Sequence, residues 1–223
     1  MQPQADPFIV PVCNEQLIVL YQDEHLLLVN KPSGLLTLSG KHPLNKDSLH
    51  FRLVKDFPTA LMLHRLDFGT SGIVIVALNK ETNAHITKQF QARTIEKAYA
   101  AILHGHLVDD AGVIEYPIAK DREHFPLMKI CYETGKRATS NYEVVERMLA
   151  PNRTRVTFTP ISGRTHQLRI HSREIGHPII GCDLYATDEA FLMADRLMLH
   201  ATTIAFDHPV TGDRICGVSP CPF

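Results

Sequence analysis

Apolar and polar positions along this chain come in short blocks whose period changes repeatedly. Leu17–Tyr21 and Leu26–Asn30 read as two strands around the polar turn Gln22–His25. Lys31-Pro32-Ser33-Gly34 ends the second, because Pro32 lacks a ladder donor and Gly34 permits a turn. Leu35–Leu38 follows as an extended piece or short strand, and the polar stretch Ser39–Asp47 as a loop. Ser48–Asp56 predicts a short helix capped by Asp47 or Ser48. The β-branched run Ile73–Leu78 is a core strand. Across Lys80–Arg93 the period becomes helical, with Ile86 and Phe90 on the buried stripe and Ala84, Lys88 and Gln91 on the opposite side. Lys97–Leu103 returns to a strand, a strand–helix–strand order that fits one crossover unit in a mixed sheet.

Further along, Val113–Ile118 reads as a strand and Ala119–Lys136 as an irregular, charge-mixed excursion. Ala138–Met148 and Arg155–Thr159 are strands joined at Ala150-Pro151-Asn152. Thr165–Ile175 is a helix stopped by Gly176, and Thr187–Ala194 a short helix capped by Thr187 or Asp188. His200–Phe206 and Arg214–Val218 pair as an antiparallel hairpin. Short strands interrupted by three or four helices make the class α+β. Residues 1–16, with Pro3, Pro7 and Pro11, are expected to form a loose leader, and residues 17–223 one domain without repeat or linker.

Charge changes the picture only locally. A formal net charge of −1 excludes a bulk polyanion coat, yet Arg153, Arg155, Arg164, Arg169 and Arg173 fall in one stretch with no acid among them. Lys88, Arg93 and Lys97 form a weaker basic run. The 5 cysteines are odd in number and form no CxxC pair, as free thiols in a reducing compartment would. No basic n-region opens the chain and no apolar run is long enough for a bilayer, so a soluble, cytoplasmic protein without membrane association is expected.

The polar segment His64-Arg65-Leu66-Asp67-Phe68-Gly69-Thr70-Ser71-Gly72 runs directly into the core strand, which places Asp67 beside buried structure. Its carboxylate can be a nucleophile or acid/base, a metal ligand, or a cap for the turn through Thr70 and Ser71. Tyr99 opens an apolar strand, either as a core residue or as a ring that stacks on a base. In the helix after Ser162-Gly163-Arg164-Thr165, His166, Arg169 and Arg173 share roughly one face, and the helix start suits a phosphate. Histidine spacing fits no metal motif, and no GxGxxG or P-loop is present.

Together with Asn30-Lys31-Pro32-Ser33-Gly34-Leu35, Lys97-Ala98-Tyr99, Ser162–His171, Gly176–Gly181 and Leu197–Ala201, the segment around Asp67 resembles the RluA family of RNA pseudouridine synthases over nearly the whole chain. The resemblance implies a mixed, mostly antiparallel sheet in two abutting halves with a central RNA-binding cleft, and no cofactor or metal. It implies that Asp67 is the catalytic aspartate, that Tyr99 stacks on the target uracil, that Arg169 pairs with Asp67, and that Arg65 manages the flipped nucleotide. Lys88, Arg93, Lys97, Arg164, His166 and Arg173 are the expected RNA contacts. The compact length, without a separate N-terminal RNA-binding domain, points within that family to uridines in tRNA anticodon stem-loops and 23S rRNA, and to a monomer with no obligate protein partner. Two competing readings are a noncatalytic RNA-binding module, in which Asp67 only caps a turn, and a metal-dependent nucleic-acid hydrolase, which the ligand spacing disfavours.

Overall fold

The computed structural model describes residues 8–223. In chain order the elements are β1 (Ile18–Gln22), β2 (Leu26–Lys31), α1 (Leu49–Leu53), β3 (Leu61–Met62), β4 (Ser71–Ala77), α2 (Lys80–Ala92), β5 (Glu96–His104), β6 (Ala111–Glu115), β7 (Ile118–Lys120), β8 (Met128–Ile130), β9 (Thr139–Met148), β10 (Arg153–Pro160), α3 (Gln167–Glu174), α4 (Asp188–Leu192), β11 (Leu199–Asp207) and β12 (Arg214–Val218). The chain divides into two compact units, the first running to Ile95 and resuming over Thr203–Pro220, the second comprising Glu96–Thr202 with Cys221–Phe223. The sequence reading expects one domain from residue 17. Among the described residues no helix is long and apolar enough to cross a membrane.

In the first unit β2 lies antiparallel between β1 and β4, from Leu26 opposite Ala77 to Lys31 opposite Gly72. All seven residues of β4 are buried, as are Leu26–Val29 of β2. Both faces of these strands are covered, which is why they read as continuous apolar runs rather than alternating ones. The last part of β11 pairs antiparallel with β12, Thr203 opposite Val218 and Asp207 opposite Arg214, as the sequence predicts. Helix α2 starts at its Asn79 cap, whose side chain accepts from the Thr82 amide, and buries Thr82, Ile86 and Gln89 on one stripe. It ends in Arg93, held left-handed at φ 60°. The extended piece Leu35–Leu38 forms no strand, only a parallel bridge from Leu36 to Ser48.

Of the expected leader, residues 1–7 lie outside the described ones. Residues 8–15 lack regular structure but are tied down by two side chains. Asn45 accepts from the Val10 amide and donates to the Phe8 carbonyl, while Arg52, paired with Asp47, donates to the carbonyls of Cys13 and Glu15.

The second unit carries the antiparallel order β5-β10-β9-β6. A register shift between Arg155 and Val156 leaves Val145 as an extra residue, so the simple alternation of β9 holds only up to Val144. The core behind this sheet includes Leu103, Val156, Phe158, Leu168, Ile170 and Ile179. The excursion after β6 is not irregular throughout. It folds into the hairpin β7–β8, Ile118 opposite Ile130, each strand too short to announce itself by period. Helix α3 begins at Gln167, two residues later than predicted, because His166 takes a left-handed conformation at φ 57° and ψ 17° and breaks the helical run.

Candidate active site

In the first unit Asp67 sits in the non-helical, non-strand segment between β3 and β4, half-buried between buried Leu66 and half-buried Phe68. The backbone of this segment is fixed almost residue by residue. Thr37 Oγ1 donates to the Leu66 carbonyl at 2.7 Å and accepts from the Leu66 amide at 3.2 Å. The Phe68 carbonyl accepts from the Gly34 amide at 3.0 Å and from Lys31 Nζ at 3.3 Å. Ser33 Oγ donates to the Gly69 carbonyl at 2.7 Å, and the Thr70 amide closes a turn onto the Asp67 carbonyl at 3.1 Å.

Lys31 is fully buried, and its ammonium also donates to the carbonyls of Pro32 and Leu35 at 2.8 and 2.7 Å. A buried cation is tolerated here because each of these contacts ends on a carbonyl oxygen. The motif Lys31-Pro32-Ser33-Gly34 therefore cradles the Asp67 loop. At the other end, His64 Nε2 accepts from the Ile75 amide of β4 at 3.0 Å, and its ring lies 5.1 Å from that of Phe90 on α2. Arg65, the expected base-extrusion residue, is exposed. Lys88 and Arg93 are exposed on α2 and at its end.

In the second unit Tyr99 lies half-buried on β5 opposite Phe158 of β10 and packs on the core. Lys97, two residues earlier, is half-buried; burial lowers the pKa of its ammonium. Its Nζ lies 3.9 Å from where a side chain on Gly163 would begin, so Lys97 stands at the loop before α3.

That loop is organised by Gln167. Its Oε1 accepts from Ser162 Oγ and the Arg164 amide at 2.8 and 2.9 Å, and its Nε2 donates to the Thr139 carbonyl and Ser140 Oγ, both at 2.9 Å. The Arg164 amide, a candidate phosphate donor in the sequence reading, is thus already engaged, while Arg164 Nε donates to the Arg137 carbonyl. His171 is buried, with Nδ1 3.0 Å from Ser140 Oγ and Nε2 3.2 Å from the Tyr116 carbonyl; burial pushes its pKa below the ordinary imidazole value.

Arg169 and Arg173 do share a face of α3, as predicted, but with different exposure. The Arg169 side chain is 4% exposed and paired with Asp183, with Nε 3.3 Å from Cys182 Sγ. Arg173 is 40% exposed and paired with Glu174. Both guanidinium carbons lie 5.4 Å from the ring centre of Tyr185. The Tyr185 hydroxyl is 2.7 Å from His166 Nδ1 and accepts from the Met128 amide at 2.8 Å. Asp183 and Tyr185 were missed by sequence reasoning; an acid and an aromatic two apart after Pro178-Ile179-Ile180-Gly181 were the only signal. The turn that delivers them requires glycine, since a Cβ on Gly181, at φ +68°, would meet the Arg196 carbonyl oxygen at 1.9 Å. The remaining arginines of the basic stretch do not join this cluster: Arg155 donates to the Phe223 carbonyl, and Arg153 lies at the far end of β10.

A half-buried aspartate on a loop held by hydrogen bonds and a helix that carries one buried and one exposed arginine fit the chemistry of a structured nucleic acid. Comparison with known proteins agrees. A family model described as RNA pseudouridylate synthase matches residues 25–174, which include Asp67, Tyr99 and Arg169. The dual-specificity RNA pseudouridine synthase RluA of Yersinia pestis is 48% identical over 196 residues, 88% of this chain and 95% of that protein. Its namesake from Haemophilus ducreyi is 46% identical over 206 residues, 91% and 92% of the two chains. The structure of human RNA pseudouridylate synthase domain containing 1 superposes with a TM-score of 0.80 at 30% identity, covering 96% of this chain and 86% of the human one. This chain therefore belongs to the RNA pseudouridylate synthase family, enzymes that isomerise uridine to pseudouridine within RNA.

Proposed function

We propose that Asp67 is the carboxylate that acts on the ribose of the target uridine, and that the targets are uridines of tRNA anticodon stem-loops and of 23S rRNA in the cytoplasm. The observation that carries this reading is the backbone of the Asp67 loop, fixed at Leu66, Asp67, Phe68 and Gly69 while Asp67 itself is only half-buried. Such preorganisation serves a reacting group, whereas a turn cap needs only its own turn. The substrate classes rest on the family resemblance of the sequence, and the dual-specificity relatives, which match nearly end to end, support action on more than one RNA.

The reaction breaks the bond from uracil N1 to ribose C1′, rotates the base and joins C5 to C1′. The proton on C5 is lost and N1 gains one, so atoms balance without redox change or a donor group, and neither cofactor nor metal is needed for stoichiometry. Asp67 starts either of two routes, attack on C1′ or removal of the 2′ proton to give a glycal-like intermediate. Tyr99 contacts the uracil, Arg169 pairs with Asp67 to keep it ionised and orient its oxygens, and Arg65 fills the space of the base as it leaves its stack. Lys88, Arg93, Lys97, Arg164, His166 and Arg173 contact the RNA, giving an affinity that falls with salt.

The test is Asp67→Asn on a uridine-labelled anticodon stem-loop, with nucleoside analysis and filter binding in parallel. Pseudouridine formation falls by at least roughly 10³-fold while RNA affinity stays near wild type. Conversion by D67N near the wild-type rate refutes the assignment. Mapping each uridine isomerised in total RNA, with and without enzyme, checks the substrate classes.

A further inference from the structure

Away from the residues assigned so far, the second unit carries a cleft of about 520 Å³ between the end of β6, the β7–β8 hairpin and the start of β9. Its lining includes Glu115, Tyr116, Pro117, Tyr132, Arg137 and Thr139. The volume is that of a small-molecule site, within the range of ~300–1,000 Å³. Its shape depends on Gly135, where a Cβ would sit 2.2 Å from the Cys131 carbonyl oxygen.

The chemistry of the lining is specific. Two tyrosines contribute, Tyr132 being 76% exposed, together with the exposed guanidinium of Arg137. The arginines 52, 147, 169, 173 and 214 are each paired with a carboxylate, whereas the Arg137 guanidinium has no such pair among the described residues. Glu115 accepts from Thr139 through Oε1, which leaves Oε2 available to base N–H donors. An aromatic face, a cation and a carboxylate acceptor together suit a nucleobase, with the ring to stack on and Arg137 for the adjoining phosphate.

The wall of this cleft is also tied to the loop before α3 in the same unit. Arg164 Nε donates to the Arg137 carbonyl at 3.2 Å, Ser162 Oγ accepts from the Thr139 amide at 3.0 Å, and Gln167 Nε2 donates to the Thr139 carbonyl at 2.9 Å. Arg164 therefore lies next to Arg137, within reach of the same stretch of a bound RNA.

We infer that this cleft is a second base-binding subsite, which receives an unpaired nucleobase of the substrate RNA other than the target uridine. This rests on the proposed reading of the enzyme as one acting on structured RNA with unpaired loop bases.

The chain contains no Trp, so Tyr132→Trp introduces a single reporter that keeps an aromatic face. Titrated with an anticodon stem-loop RNA, Y132W fluorescence is quenched saturably, and replacing one unpaired base by an abasic residue removes the quench. Arg137→Gln and Tyr132→Leu, both at exposed positions, each raise Kd about ten-fold while far-ultraviolet circular dichroism stays at wild type. Unchanged Trp emission at saturating RNA, with binding verified by filter retention and with R137Q affinity equal to wild type, overturns the subsite. Failure of the wild-type enzyme to form pseudouridine would instead strike the functional reading, and the fluorescence result is independent of turnover.

Discussion

His64 Nε2 takes the amide hydrogen of Ile75, so a side chain continues the ladder that β3 abandons after Met62. The segment that carries Asp67 is thereby stapled to β4 three residues before the carboxylate, and by the Lys31 and Thr37 contacts on its other side. Since Nε2 is the acceptor, the ring proton resides on Nδ1.

His64→Ala leaves the Ile75 amide without its acceptor and frees the start of the loop. We expect a loss of ~1–3 kcal/mol in urea denaturation, with a fall in kcat for pseudouridine formation larger than the change in RNA affinity. His64→Gln, which restores an acceptor, recovers most of the stability. A kcat equal to wild type in H64A would show that the staple does not position the Asp67 loop for the proposed chemistry.

Tyr185 is the corresponding fixed point of the second unit, since its hydroxyl serves His166 and Met128 and its ring lies under Arg169 and Arg173. Tyr185→Phe removes the hydroxyl contacts alone and is expected to cost ~1–3 kcal/mol. Tyr185→Leu also removes the ring and costs a further ~0.5–2 kcal/mol for each stacked guanidinium. Equal denaturation midpoints for the two variants would show that the stacking contributes nothing.

The strands β2, β4, β5 and β10 and the helix α2 were legible because burial imposes a period or a solid apolar run on the sequence. What stayed hidden depends on single contacts that leave no period. The hairpin β7–β8 has three residues per strand. The start of α3 is displaced by the left-handed His166, held by a tyrosine 19 residues away. The candidate site divides the same way. Asp67 was found because an acid beside a core strand is conspicuous, whereas Lys31 read as a strand terminator and proved to be the buried support of that loop. Gln167 joins its own loop to Thr139 and Ser140, and Asp183 pairs with Arg169, contacts that no sequence period announces.

His171 gives a pH test with a definite sign. Burial holds its pKa below the ordinary imidazole value, although the Tyr116 carbonyl and Glu174 pull the other way. As pH falls through about 6.5 the unfolded chain takes up the proton first, so stability contributed by neutral His171 is present above that pH and lost below it. The difference in unfolding free energy between wild type and His171→Gln is therefore expected to shrink from pH 7.5 to 5.5. A difference that grows on acidification would mean that His171 is charged in the folded enzyme.

The two routes proposed for Asp67 differ in one bond. Removal of the 2′ proton breaks C2′–H, while attack on C1′ leaves that bond intact. Substrate RNA carrying deuterium at C2′ of the target uridine therefore gives a primary isotope effect on single-turnover rates in the elimination route and only a small secondary one in direct attack. We expect the primary effect, because in elimination Asp67 acts as a base, needs only to reach a peripheral proton, and forms no ester that must later be broken. Single-turnover rates without a primary effect, under conditions in which varying the RNA concentration shows chemistry to be limiting, would assign Asp67 as the nucleophile at C1′.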